Sequence, residues 1–434
     1  MTPSTFSLNL SVFGKPRLFL GLCFLLVFFL AACSSPAGSP EAAVEAYLQA
    51  IVSKDEVAAV NASCAAWEEQ AVLESAAYEG VESNLENLDC QIVSQDDSSA
   101  VVSCTGQIRF SYAGGEDQIE ELGGRAFNVI VEGGEWKMCG ASGQSPAESQ
   151  LAIKEPTATA EPLSTETAAP TEVPTADSSP TPDLRPWPED WRNWPVLPTL
   201  SPWLVDVYQR GQELGNNPQH FSVAGDCQNV PNAFLGFYDS AGRYYFADDE
   251  QYLQETVDYF AGSWGRDGLT VDGGNNFPAI FTPLRADPEL CEDGETPLAC
   301  EIRTYRPSFI IVSMEFVYEG RTAENYETYL RQAVDYALSQ NVIPILMTKA
   351  DNVEGGHRIN LATARVAYDY DIPLINWWRD AQSLPGKGLD RDRGASSVPQ
   401  YFYITTEAWT ERSYITLKTL DAFRNALEAI GAGG

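Results

Sequence analysis

The sequence predicts an α/β protein: a parallel sheet covered on both faces by helices, preceded by a small α+β domain. Three observations carry this. From about residue 200 onward, short apolar runs alternate with segments of helical periodicity, the signature of a buried parallel sheet. Residues 40–140 instead place helical periodicity first and strand-like runs after it. Between the two regions the composition changes to Pro, Thr, Ala, Ser and Glu, as in EPTATAEPLSTETAAPTEVPTADSSPTP, which cannot build a core.

Lys15 and Arg17 precede an unbroken apolar run, Leu18 to Leu30. A spanning helix needs about 20 apolar residues, so this shorter run with a basic start reads as an export signal covering residues 1–32. Leu30-Ala31-Ala32-Cys33 closes it and resembles the bacterial lipobox. That resemblance implies cleavage before Cys33 and lipidation of Cys33. Residues 33–39 would then be a tether, and the chain would be held outside the cytoplasm on a cell membrane or outer membrane by acyl chains. An ordinary secretory signal with an incidental cysteine is the alternative. The net charge of -34 leaves no basic patch to neutralise phosphates, which argues against nucleic acid as a partner. The same charge is repelled by anionic lipid, so the lipid on Cys33 should make the membrane contact.

Of nine cysteines, Cys23 leaves with the signal and Cys33 carries lipid, so seven remain (9 − 2). In an oxidising compartment they should pair, with one left over. Cys90 and Cys104 are symmetric about the polar turn Gln95-Asp96-Asp97-Ser98 and could face each other across a hairpin. That would leave Cys64, on a helix, to join Cys139 on the last strand. Cys291 and Cys300 bound the loop-like stretch CEDGETPLAC and suit a local bridge. Cys227 is the remainder.

In the first domain, Ser39-Pro40-Glu41 is a helix start, with Ser39 as N-cap and Pro40 at the first helical position. Val44, Tyr47, Leu48 and Ile51 then form one apolar face. Strand-like runs follow at Leu88–Val93, Ala100–Phe110, Ala126–Val131 and Glu135–Cys139. Helices followed by a curled sheet resemble ketosteroid-isomerase-like or cystatin-like cones. Nothing in the region has catalytic spacing, so a structural or binding role is expected of it. The linker, residues 141–200, could hold the next domain tens of ångströms away, at about 3.1 Å per residue in a polyproline conformation. Its last part, with Trp187, Trp191 and Trp194, is too aromatic to stay free and should pack on the C-terminal domain; a carbohydrate-stacking strip is the other reading.

In the C-terminal domain, residues 201–434, a first strand at His220–Ala224 ends in Gly225-Asp226-Cys227. Asp249–Phe260 is helical, and Phe309–Met314 is a buried strand. Thr322 caps a helix whose Tyr326, Leu330, Ala333, Val334 and Ala337 share a face. Val342–Met347 is a strand, Ile359–Tyr370 a helix, Pro373–Trp377 a short strand and Ser413–Ile430 the closing helix.

This order, with Gly225-Asp226-Cys227 after the first strand, resembles the SGNH/GDSL hydrolases, a three-layer α/β/α family of esterases and acyl or acetyl hydrolases. The resemblance runs from Phe221 to the end and implies four blocks. Gly-Asp-Ser supplies the nucleophile, here Cys227. A glycine N–H forms part of the oxyanion hole, best matched by Gly274 in VDGGNN. A Gly-x-Asn-Asp after a buried strand completes the hole, but Glu315-Phe316-Val317-Tyr318 stands there. An Asp-x-x-His precedes the last helix, but Asp392-Arg393-Gly394-Ala395 places Ala395 at the histidine position. A cysteine nucleophile still needs a base or an electropositive site to form thiolate. With two histidines in the chain, few substitutes exist. His357 would serve only if its loop folds over Cys227, a solvated helix start being the plainer reading, and His220 opens the strand at the far end. Cys227 is expected near the start of a helix, whose dipole would favour thiolate. Two separated histidines give no transition-metal site, and no Gly-rich phosphate loop occurs, so no metal or cofactor is expected.

The expectation is therefore a lipoprotein whose hydrolase-like domain has lost its base and binds a glycan or an acylated cell-wall component. An active esterase using Cys227 on an acyl ester is the alternative.

Overall fold

The computed structural model of the protein describes residues 37–111, 117–141, 185–314, 322–390 and 403–431. Cys33, Val317, Asp392 and Ala395 lie outside the described residues. The chain is mixed α/β; its described residues form a five-stranded antiparallel sheet, a four-stranded parallel sheet and a short antiparallel pair of Leu389–Asp390 with Tyr403–Ile404. Among the described residues no helix is long and apolar enough to cross a membrane.

The N-terminal region opens with helices α1 (Pro40–Val52), α2 (Glu56–Ala62) and α3 (Glu68–Ala76). Ser39 caps α1 by accepting from the Ala42 N–H at 3.3 Å, and Val44, Tyr47, Leu48 and Ile51 form its buried face. An antiparallel sheet follows in the order β1 (Glu82–Gln95), β2 (Ser99–Ser111), β4 (Arg125–Glu132), β5 (Glu135–Ala141), with β3 (Gln118–Glu121) beside β2. Asp96 closes the β1–β2 hairpin by accepting from the N–H groups of Ser98 and Ser99 at 2.8 and 2.7 Å. Cys90 and Cys104 are direct cross-strand partners and form a disulfide; Cys64 joins Cys139, and Cys291 joins Cys300.

A buried polar chain runs through this core. Trp67 donates to the Tyr47 hydroxyl at 3.1 Å, and that hydroxyl donates to Glu74 at 2.7 Å. Burial raises the Glu74 carboxyl from 4.5 to about 7, only partly offset by these hydrogen bonds. A carboxyl raised in the folded state stabilises fully below its unfolded value, and that contribution is lost as pH rises through the folded one. Stability should therefore fall between pH 4.5 and about 7, by up to about 3 kcal/mol from this group. Glu74→Gln, which keeps an acceptor for Tyr47, should remove that part of the slope. Urea midpoints at pH 4.5 and 8 check it; the same pH dependence in both proteins would refute the assignment to Glu74.

The parallel sheet has the order β6 (Asn217–Gly225), β7 (Pro307–Ser313), β8 (Ile343–Met347), β9 (Leu374–Ile375). Every residue of β7 and β8 is buried, as expected of strands with no solvent face. Thr322 caps the helix Ala323–Ser339 through the Asn325 N–H at 3.1 Å, and the predicted face of Tyr326, Leu330, Ala333, Val334 and Ala337 is buried. Several bounds differ from expectation: β1 and β6 are longer than the runs Leu88–Val93 and His220–Ala224, and three differences change how an element reads. The 249–260 region is a 3₁₀ turn followed by a helix only from Leu253 to Tyr259. Trp377 starts a helix rather than ending a strand. The closing helix runs Thr406–Gly431, beginning well before Ser413.

The Trp-rich segment packs on this sheet. Trp191 is buried, and Asn376 donates to the carbonyls of Trp191 and Trp194 at 2.7 and 3.2 Å. The linker does not hold the two regions apart: they share an interface. Asn276 donates to the carbonyls of Ala76, Ala77 and Glu79 at 3.1–3.4 Å. Arg285 pairs with Glu120 at 2.9 Å and lies over the Phe110 ring at 4.0 Å. Ala279 and Leu284 join the N-terminal core. Composition reports that the linker has no core; it does not report how the regions on either side of it pack.

Candidate functional site

Gly225 ends β6 at a point where the connections change direction. It pairs with Ser313 of β7 and also bridges Val271, so the chain between β6 and β7 visits the other side of β6 first. Open α/β sheets bind ligands at such a switch point, outside the carboxyl ends of the strands. Gly225-Asp226-Cys227 occupies that place.

The turn is held from below. Asp226 is buried and accepts from the Gln228 N–H at 2.9 Å and from the Asn229 amide at 3.2 Å. Asn229 folds over Gly225 and donates to the Ser313 carbonyl at 2.7 Å. A Cβ at position 225 would meet the Asn229 side chain at 2.3–2.4 Å, so only glycine fits. Beneath them lies Arg412 of the closing helix, with 0% exposure. Its guanidinium donates to the Gln228 carbonyl at 2.8 Å, to Asn229 Oδ1 at 2.7 Å and to the Ser313 hydroxyl, and its Nε meets Met347 Sδ at 3.1 Å. It also stacks over Phe234 at 4.4 Å. One cation thus ties the ends of β6, β7 and β8 together.

Cys227 is half-buried and stands outside the three disulfides. It does not start a helix: residues 226–235 form turns, followed by a 3₁₀ segment at Gly236–Asp239. Pro231 accounts for this: a helix starting at Cys227 would need the N–H of residue 231 for the Cys227 carbonyl, and proline has none. The expected dipole contribution to the thiol is therefore absent.

Gly274, at φ +79°, lies three residues after the Val271 bridge, which sets its loop beside the end of β6. The same loop reaches the N-terminal domain through Gln118, which donates to Asp272, and through Asn276 and Arg285. The N-terminal domain thus braces one wall of the site. Burial raises the Asp272 carboxyl, against the pull of Arg285.

His357 is placed elsewhere. It precedes the helix Arg358–Tyr370 in a left-handed conformation, beyond β8, with its ring against Trp191 and Trp378 at 5.9 and 5.4 Å. Burial, then Arg192, holds its pKa below the ordinary value. Its Nδ1 is buried and meets no hydrogen-bond partner among the described residues. His357 thus stands at the expected helix start, between exposed Gly356 and exposed Arg358, with its half-buried ring against two tryptophans. His220 stacks on Tyr305 at 4.1 Å near the opening of β6, the end opposite Cys227. Lys349, at the end of β8, is buried with Asp351 and Glu354 at 2.8 and 2.6 Å. Burial opposes its charge, but the two carboxylates outweigh it and raise its pKa. Cys291, Glu295 and Cys300 lie close together, yet the two sulfurs are bonded to each other and are not thiolate ligands.

Sequence reasoning missed Asn229, Ser313 and Arg412. It also missed a cavity of about 740 Å³ beside the turn, walled by residues 231–250 and the start of the closing helix. Trp409, in that wall, donates to Gln228 Oε1 at 3.1 Å and so connects the cavity to the residue after Cys227.

No protein-family model matches the chain, and no curated protein matches it.

Proposed function

We propose that the chain is an exported, lipid-anchored lipoprotein, held to a membrane through Cys33. Its C-terminal domain would have the three-layer arrangement of SGNH/GDSL hydrolases, have lost hydrolysis and bind a glycan or an acylated cell-wall component. The observation that carries this reading is Arg412. The polar network under the Cys227 turn is centred on a buried guanidinium, which presents only N–H donors and has no acceptor site to take a proton from a nucleophile. The position of His357 against Trp191 and Trp378 supports it further, because an imidazole there serves packing.

A second reading, hydrolysis through Cys227, has one observation in its favour. The same guanidinium lies on the carbonyl of the residue after Cys227, and a nearby cation stabilises a thiolate. Turnover of p-nitrophenyl acetate separates the two. We expect the protein to be no faster than its Cys227→Ala variant; turnover abolished by that substitution would defeat the proposal in favour of the second reading.

A further inference from the structure

We infer that the aromatic cavity at the start of the closing helix binds an organic ammonium group, its nitrogen held over the rings beside Glu411. This rests on the domain being a ligand-binding one, and not on whether hydrolysis has been lost.

At about 740 Å³ the cavity has the size of a small-molecule site. Tyr244, Phe246, Trp409 and Tyr414 give it aromatic walls, with Glu250 and Glu411 in the lining. Tyr244 and Phe246 hold each other at 5.2 Å between ring centroids, so this part of the wall is built before any ligand arrives. Aromatic faces combined with carboxylates attract cations more strongly than they attract neutral molecules of the same shape.

The two carboxylates differ. Glu250 accepts from the Tyr414 hydroxyl and faces Lys418 Nζ at 3.5 Å, so its charge is matched within the protein. Lys418 also lies 5.1 Å from the Tyr414 ring centroid, so this wall already carries one cation on an aromatic face. Glu411 is placed otherwise. Burial, then Asp380, raises its pKa; Lys418 opposes this, and Glu250 and Glu407 add to it. A ligand cation would relieve that crowding. Exposed Arg243 also lines the cavity and works against a cation. The two carboxylates of the lining, Glu250 and Glu411, outnumber it.

An ammonium group could arrive on a free small molecule or on an amine-bearing polymer such as a glycan with unacetylated amino sugars. Titration calorimetry of the full-length protein tests both. Choline should bind about tenfold more tightly than 3,3-dimethylbutan-1-ol, which has its shape without the charge. Glu411→Gln should weaken choline about tenfold, and Arg243→Ala should tighten it. Glucosamine binding more tightly than choline would assign the site to a polymer-borne amine; the reverse would assign it to a free one. The inference fails if the neutral isostere or N-acetylglucosamine binds as tightly as its charged counterpart. It also fails if choline, tetramethylammonium and glucosamine all give no heat with protein shown to be folded by circular dichroism. Thiol-dependent ester turnover would sink the degenerate-hydrolase proposal and leave this inference standing.

Discussion

Replacing Cys64 and Cys139 together by alanine is expected to lower stability by about 4.5 kcal/mol, the chain-entropy value for a separation of 75 residues. Losing the Cys291–Cys300 bridge, with a separation of 9, should cost about 2.5 kcal/mol on the same relation. The longer bridge ties the connection between α2 and α3 to β5, at a place where the Cys64 N–H already donates to the Met138 carbonyl at 2.8 Å. Native contacts at the bridge should therefore survive its removal, and the loss should come chiefly from the freer unfolded chain. Urea unfolding of the two double variants checks this. Equal losses would show that local strain or packing, and not loop closure, sets the effect.

That pairing was legible because it needed only arithmetic and chain position. Cys90 and Cys104 flank one polar turn, Cys291 and Cys300 one loop, and the remaining pair in the first domain has no other choice. The strands and amphipathic helices were legible for a related reason: periodicity is a local property, and the buried face of the helix Ala323–Ser339 can be read directly from it. The site was less legible. Asn229 and Ser313 matter because the sheet order brings residues 84 positions apart into contact, which no local pattern encodes. Arg412 was hidden by an error of helix boundary. Starting the closing helix at Ser413 leaves an arginine in a presumed loop, where it reads as a solvated charge. The helix in fact starts at Thr406, which turns Arg412 into the sheet with Ala408 and Ser413. The inter-domain contacts of Asn276 and Arg285 were hidden for a third reason: long linkers separate or join domains according to surfaces that composition does not describe.

Arg412→Met should be among the most damaging single substitutions in the chain, and its size follows from what the guanidinium holds. Methionine keeps apolar volume against Phe234 and Met347 but supplies no donor. The Gln228 carbonyl, Asn229 Oδ1 and the Ser313 hydroxyl would each lose a bond to a charged group, and the last two, both buried, would be left without that donor. Such losses cost about 1–3 kcal/mol each, so a total of about 4 kcal/mol is expected after partial relaxation. Arg412→Lys, which keeps the charge and can satisfy fewer of the three acceptors, should fall between. The consequence for the site is separate from the stability loss. Asn229 would no longer be clamped over Gly225, so the amides of residues 226–229 should exchange hydrogen faster. Removal of a cation beside the residue after Cys227 should also raise the apparent pKa of that thiol, read from the pH profile of its alkylation. Arg412→Met with parental stability and an unchanged profile would mean that the guanidinium neither holds the strand ends together nor sets the electrostatics at Cys227. In that case the strongest support for a site refitted from hydrolysis to binding would be gone.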